Sequence, residues 1–459
     1  MIIDAFAGGG GASTGSEMAL GRPVDIAINH DPQAIIMHTV NHPSTLHLTE
    51  DIFKVNLQKY VGNKHVDLLW ASPDCTHFSK AKGDRPLKKE IRMLPMAVVK
   101  HAKIINPDII IMENVEEIKQ WGPLNKKGRP IVKKSGTLYK RFLKKMYLAG
   151  YTKIETKVLT ASDYGAPTSR TRWYAIFRRD GRQIIWPEPT HNRYGTDGLQ
   201  KWVPISEVLD FKNLGKSIFG RKKPLAEKTM DRIARGLQKF VFENPEPFVT
   251  KVQYDMAVNT DVVKSCDTSK QEAEVMSFLT KFYKSGTGQS LFEPIHTITT
   301  SPGHFGLVSA VTVKLSDLLN SGMSPEVAQK CTWVSNFIME YYGCGTGQIV
   351  DSPLHTIVTK DRFALISVLG NEYIILDIRL RMLTPEELKL GQGFPKDYII
   401  DHDINGKPYP IKEQVARIGN SVVPIMAQKL IETNCPYLKV GERVPNLMID
   451  YSQSQLRFA

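Results

Sequence analysis

Four short, nearly continuous hydrophobic runs constrain this chain more tightly than any other feature: Ile2-Ile3-Asp4-Ala5-Phe6, Val24-Asp25-Ile26-Ala27-Ile28, Val66-Asp67-Leu68-Leu69-Trp70 and Ile109-Ile110-Ile111-Met112. A strand with one wet face alternates apolar and polar residues, whereas a run of this kind must be covered on both faces. Each ends in polar residues, Pro or Gly, and longer segments of helical character follow. The pattern predicts buried parallel strands in a doubly wound α/β domain. In such sheets ligands gather outside the carboxyl ends of the strands, so the residues after each run are where chemistry is to be sought.

The chain divides into three stretches. Residues 1–185 hold the predicted α/β domain. From Trp186-Pro187-Glu188-Pro189 to about 375 the sequence is rich in Lys, Gly, Thr and aromatic residues and loses clear periodicity. A separate, irregular, β-rich domain is expected there. Within it Phe278, Tyr283, Gly286-Thr287-Gly288-Gln289, Pro294 and His296-Thr297 recur at a constant offset of 59 as Phe337, Tyr342, Gly345-Thr346-Gly347-Gln348, Pro353 and His355-Thr356. This predicts a duplicated strand–loop–strand unit, about 278–304 and 337–363, too few copies for a solenoid. Residues 376–459 look globular again and are expected to return to the first domain. A helix should start at Pro385-Glu386-Glu387, with proline and acids in its first turn, and another near Pro424.

Sixty Lys+Arg against 47 Asp+Glu give a formal charge of +13, which favours a polyanionic partner, nucleic acid before membrane. Five cysteines are scattered with no CxxC pair, so neither a zinc knuckle nor a disulfide framework is suggested. The opening Met-Ile-Ile-Asp has no basic n-region and no long apolar run follows; a cytoplasmic protein without signal peptide or membrane span is expected.

Phe6-Ala7-Gly8-Gly9-Gly10-Gly11 lies between a predicted strand and a predicted helix. Such a loop lets a ligand approach backbone and helix N-terminus, or is simply a tight turn. No Gly-Lys-Ser/Thr follows, which argues against a P-loop. Cys75, in Ser72-Pro73-Asp74-Cys75-Thr76-His77-Phe78-Ser79, sits beyond a strand end, as nucleophiles do, though a lone cysteine also serves as a small core residue. With His77 it is a weak candidate for a metal pair. Glu113, in Glu113-Asn114-Val115, would face the same crevice for proton transfer, or act as a helix N-terminal acid. Arg170 and Arg172, two apart at a strand start, point the same way and would clamp an anion or base, or line a solvated edge.

Taken together, these residues resemble the conserved blocks of DNA cytosine-C5 methyltransferases. Phe6-x-Gly8-x-Gly10-Gly11, Pro73-x-Cys75-x-x-x-Ser79, Glu113-Asn114-Val115 and Arg170-x-Arg172 stand in the family's order, followed by Arg381-x-Leu383-Thr384-x-x-Glu387, Gln392-Gly393-Phe394-Pro395 and Gly419-Asn420-Ser421-Val422-x-Pro424. The resemblance implies the S-adenosylmethionine-dependent methyltransferase fold, with a target recognition domain in the unmatched middle. It implies that Cys75 adds to C6 of a cytosine flipped out of duplex DNA, so that C5 takes the methyl group of S-adenosylmethionine. Glu113 would hold the N3 and N4 edge, and Arg170 and Arg172 would position the base. The donor would lie against Phe6, Ala7, Gly8, Gly10 and Gly11, with Asp51 and Ile52 at the adenine, Pro73 beside Cys75, and Asn420 and Ser421 closing the pocket.

Asn29 stands where the family often has a ribose-binding acid, and His30 at the adenine-stacking position; an amide keeps hydrogen bonding but loses the charged acceptor. Asp74 replaces the second proline of Pro-Pro-Cys and would oppose the Cys75 thiolate unless it points away. Thr168 replaces a glutamine before the arginines. The middle region is assigned to recognition by position and basicity, with Gln289 or Gln348 as candidates for reading adenine. A monomer from a bacterium or its phage, in a restriction-modification setting, is expected. Competing readings are a relative that methylates cytosine in transfer RNA, a dinucleotide-dependent oxidoreductase, and a binding protein that has lost catalysis.

Overall fold

The structure is a computed structural model that describes residues 1–75, 77–78, 87–254, 271–282, 286, 288–316, 325–342, 357–358, 364–368 and 371–440. Seven strands build the first sheet: β1 (Ile2–Ala5), β2 (Ile26–Ile28), β3 (Leu46–Leu48), β4 (Leu68–Ala71), β5 (Ile109–Asn114), β6 (Lys153–Thr160) and β7 (Thr171–Arg178). Their order is β3-β2-β1-β4-β5-β7-β6, parallel from β3 to β5, with β7 antiparallel to both β5 and β6. The four hydrophobic runs form the central strands β1, β2, β4 and β5. All residues of β1, β2, β4 and β5 are buried, because one hydrophobic cluster covers each face of the sheet. The cluster around Leu68, Trp70 and Ile111 includes Val422, Met426, Leu430 and Ile431. The helix Pro424–Asn434 thus returns to pack on the same sheet that residues 1–185 build.

A two-stranded parallel pair, β8 (His191–Asn192) and β9 (Gln200–Lys201), leads to a second sheet. Its strands are β10 (Lys216–Ser217), β11 (Val249–Tyr254), β12 (Gln271–Lys281), β13 (Phe305–Lys314), β14 (Ile357–Val358), β15 (Ala364–Val368) and β16 (Asn371–Met382). It is antiparallel throughout, in the order β11-β12-β13-β16-β15-β14, with β10 beside β16. The helices Glu227–Leu237 and Pro325–Tyr342 cover one face, through Ile233, Leu237, Val334 and Phe337. The expected duplication differs at its first element: Phe278 is on β12, while Phe337 is helical. Most of the second copy, Gln348 and His355 included, lies outside the described residues.

The helix Pro385–Gly391 begins as its sequence predicts. Thr384 and Glu387 form a capping box, and Glu387 also takes a two-pronged ion pair from Arg381 at 2.6 and 2.7 Å. That pair is buried, and the Arg381 guanidinium also donates to the Asn213, Asp210 and Met382 carbonyls, which satisfies its remaining protons. Among the described residues no helix is long and apolar enough to cross a membrane.

Candidate active site

Parallel strands deliver their carboxyl ends to one edge, and the site is built there. Cys75 lies four residues beyond β4, and Glu113 is the penultimate residue of β5, which pairs with β4 through Ala71 and Met112. Because β7 runs antiparallel to β5, its first residues meet the last residues of β5. Tyr174 therefore pairs with Glu113 in the ladder, and Arg172, two residues earlier on β7, brings its Nε to 3.2 Å from the Glu113 carboxylate, both side chains nearly buried. Arg170, also buried, donates to the Gly419 carbonyl at 3.1 Å. Residues of three strands and of the C-terminal return thus converge.

A cavity of about 600 Å³ opens at this edge, within the roughly 300–1,000 Å³ of small-molecule sites. Cys75, Glu113 and Arg170 line it together with Phe6, Gly8, Asn29, His30, Asp51, Ile52, Pro73 and Asn420. Of the residues singled out from sequence, Ala7, Gly10, Gly11, Ser421 and Arg172 are not in its wall. The glycine loop divides its labour. A Cβ on Gly8, at φ +55°, would meet only the Phe6 carbonyl, at an ordinary contact distance of 3.7 Å, whereas one on Gly10 would meet the Tyr398 hydroxyl at 2.2 Å and one on Gly11 the Val422 carbonyl at 2.0 Å. Gly10 and Gly11 are therefore required by the close approach of the C-terminal segment. Phe6 takes the left-handed conformation, φ +67°, that side chains rarely adopt.

Burial pushes the Cys75 thiol up. The Arg172 and Arg170 guanidiniums oppose that shift, and the Glu113 and Asp74 carboxylates reinforce it. Asp74 lines the cavity and so does raise the thiol, as expected of a carboxylate that does not point away. Burial also draws Arg170 down to about 10, leaving it charged at neutral pH. His77 Nδ1 accepts from the Lys88 backbone N–H at 2.8 Å.

Several contributors escaped the sequence reading. Asn114 is buried and donates to the Pro73 carbonyl at 2.9 Å, tying the β5 end to the cysteine loop. Arg92 donates to the His77 carbonyl at 2.7 Å and packs its guanidinium on the Phe78 ring, joining both arms of that loop. Arg417 lines the cavity and pairs with Asp31 at 2.7 Å, bridging the return helix Ile411–Asn420 to the Asn29-His30-Asp31 turn. Asn114 belonged to a recognised motif; Arg92 and Arg417 carry no local signal. Asn29 accepts from the Asp31 backbone N–H through Oδ1.

Gln289 corrects the expectation that it reads bases. It is buried, its Nε2 donates to the Pro294 carbonyl and its Oε1 accepts from the His296 N–H, so its amide holds its own loop. That loop in turn fastens the two sheets' regions: the Ser169 N–H donates to Ile295, Ile295 donates to Pro167, and the Thr168 hydroxyl bonds the Ile295 carbonyl at 3.0 Å. Thr76 and Ser79 lie outside the described residues.

With this geometry in place, comparison with known proteins decides the family. A model of the C-5 cytosine-specific DNA methylases matches residues 1–434. The chain belongs to that family. Among curated relatives, the Type II methyltransferase M1.HphI of Haemophilus parahaemolyticus is 31% identical over 201 residues, 43% of this chain and 50% of that protein. The Type II methyltransferase M.AgeI of Thalassovita gelatinovora is 27% identical over 451 residues, 94% of this chain and 98% of its own length. The match thus spans about half the length of the first relative and nearly all of the second. The crystal structure of the S. pombe Dnmt2 methyltransferase aligns over 94% of the chain and 97% of its own, at 14% identity and a TM-score of 0.49.

Proposed function

We propose that this methylase transfers a methyl group from S-adenosylmethionine to C5 of a cytosine extruded from duplex DNA, with Cys75 as the nucleophile. The observation that carries the proposal is one cavity lined by Cys75, Glu113 and Arg170 together with Phe6, Gly8, Asp51 and Ile52. The wall suits an adenosine-bearing donor. Phe6, Ile28 and Ile52 give an apolar surface for a purine, Asp51 and Glu50 offer acceptors, and Gly8 leaves backbone approachable. When bound there, S-adenosylmethionine supplies an electrophilic methyl group.

The chain's own residues do the rest. The Cys75 thiolate forms a bond to C6, and the pyrimidine electrons move toward N3 and C5. Glu113 meets the N3 and N4 edge, stabilising the proton that N3 takes from solvent as sulfur adds and gives back as sulfur leaves. Arg172 holds the Glu113 carboxylate in place, and with Arg170 supplies the positive field that a buried thiolate needs. After C5 has gained its methyl group it loses a proton to solvent, the C5–C6 double bond reforms and the sulfur leaves. Extruding the base costs a few kcal/mol, offset by contacts to phosphate and in the pocket. We read residues 1–185 and 376–459 as the catalytic part, 186–375 as the recognition part, and the chain as a monomer in the bacterial cytoplasm.

The test is transfer of labelled methyl from S-adenosylmethionine to mixed-sequence duplex DNA, with Cys75→Ala run beside it. Label at cytosine C5 that disappears in the variant is expected. Label appearing only on transfer RNA, or persisting in Cys75→Ala, would overturn the substrate or the nucleophile respectively.

A further inference from the structure

The excess positive charge does not sit where recognition was expected. Residues 186–375 carry 20 Lys+Arg and 20 Asp+Glu, whereas residues 1–185 carry 29 and 17, which is +12 of the chain's +13. The imbalance is concentrated further: residues 119–145 hold ten Lys+Arg and no acid.

The structure places this stretch on the outside of the fold, as a loop and a helix that carry exposed lysines. Residues 121–136 form a hairpin-like excursion closed by the Leu124–Pro130 bridge, with Asn125 Oδ1 accepting from the Lys127 and Arg129 N–H groups at 2.9 and 3.0 Å. Gly122 lies so close to the returning chain that a Cβ there would meet the Lys134 carbonyl at 2.3 Å. The helix Thr137–Leu148 follows, burying Phe142 and Met146 and leaving Lys140 and Lys144 exposed. Lys126, Lys127, Lys133 and Lys134 are exposed as well. Among the described residues none of these six lysines forms an ion pair. Val132, between them, is 84% exposed, so the surface is not covered by another part of the described fold.

Its position is as informative as its charge. The Gly128 carbonyl accepts from the Leu87 N–H at 2.9 Å, and the Gly122 carbonyl takes a longer bond from Arg92 at 3.4 Å. Leu87 and Arg92 belong to the arm that closes the loop after Cys75. The lysines are thus carried on a frame fixed to the catalytic cysteine's own loop.

We infer that the surface of residues 119–145 grips the phosphate backbone of duplex DNA beyond the nucleotides held at the Cys75 cavity. Phosphate contacts of this kind set register and affinity and carry no sequence information. Each releases counterions, so each adds about 0.9 to the slope of log affinity against log salt on duplex DNA. A backbone already fixed by Asn125 and Gly122 reduces the ordering that binding requires of the loop. The inference rests on the DNA-methylating reading, and its test separates the two.

The experiment compares the wild type with the variant Lys126→Ala/Lys127→Ala/Lys133→Ala/Lys134→Ala on two duplexes sharing one target site. One duplex just fills the site; the other runs several helical turns further on each side. The expected result is a salt slope lowered by up to about 3.6 on the long duplex, since four charges that neutralise phosphates are gone. Affinity for the short duplex, the Cys75 adduct rate on it and the melting temperature should stay at wild-type values. Wild-type slope and affinity on the long duplex would overturn the inference. So would an equal loss on both duplexes, or a loss confined to transfer RNA. If the wild type methylates neither duplex, it is the DNA-methylating reading that fails.

Discussion

The two sheets teach different lessons about how charge and burial are distributed. The parallel sheet is built from short strands with hydrophobic clusters on both faces, and its functional groups lie at one edge. The antiparallel sheet is built from long strands, β12, β13 and β16, that are also largely buried, yet polar groups run through it. Ser277 and Ser309 are buried and share a hydrogen bond of 3.0 Å, and the buried Thr312 hydroxyl bonds the Glu274 carbonyl at 2.8 Å. Each of these polar groups is satisfied internally, so its burial costs little. The first region is basic and holds the cavity lined by Cys75; the second is electrically balanced and is fastened to it through Ile295. On the proposed function, electrostatic attraction and base chemistry belong to one half, and the second half is left to shape and specific contacts.

Breaking the catalytic half should have the largest effect. Arg172→Ala removes the cation that most favours the Cys75 thiolate and leaves Glu113 without its ion pair. Methyl transfer should fall roughly 10²-fold or more. The rate of Cys75 adduct formation, followed against pH, should rise with pH in the wild type because burial raises the thiol, and the rise should move to higher pH in the variant. An unshifted profile would remove Arg172 from that role.

Gly11→Ala probes the joint between the glycine loop and the C-terminal return. The added Cβ would press on the Val422 carbonyl, so stability should drop by about 1–3 kcal/mol, or several degrees in melting temperature. Gly8→Ala offers the contrast: it should weaken S-adenosylmethionine binding in calorimetry, with a smaller change in melting temperature.

Gln289→Ala tests the proposed recognition half. It leaves the Pro294 carbonyl and the His296 N–H without their partners, at about 1–3 kcal/mol. Discrimination among DNA sequences should degrade while the pH profile of Cys75 stays in place. Loss of both together would mean that the halves are not separable in this way.

The last prediction concerns stability alone. Asp4 is buried under the glycine loop, receives the Ser13 hydroxyl at 2.7 Å and has its pKa raised by burial to about 7. A carboxyl raised in the folded state stabilises when protonated, so stability should fall as pH rises from about 4 to about 7, by at most about 1.4 kcal/mol per pH unit. Melting curves of Asp4→Asn should be flatter across that window; equal slopes would contradict the assignment.

Sequence alone determined the strand runs, the glycine loop, the four catalytic candidates and their order. Burial on both faces writes itself as continuous hydrophobicity, and strand ends in an α/β sheet share an edge, so local pattern sufficed to bring Cys75 and Glu113 together. The antiparallel sheet was less legible, because internally paired serines and threonines interrupt the apolar pattern that would betray a buried strand. Tertiary structure alone decided what the glycines face, that Gln289 holds its own loop, and that Arg92, Asn114 and Arg417 brace the site. These depend on contacts between residues far apart in the chain, such as Gly11 with Val422 or Arg417 with Asp31. No periodicity encodes such a meeting, since it is set by which surfaces remain to be covered once each element has formed.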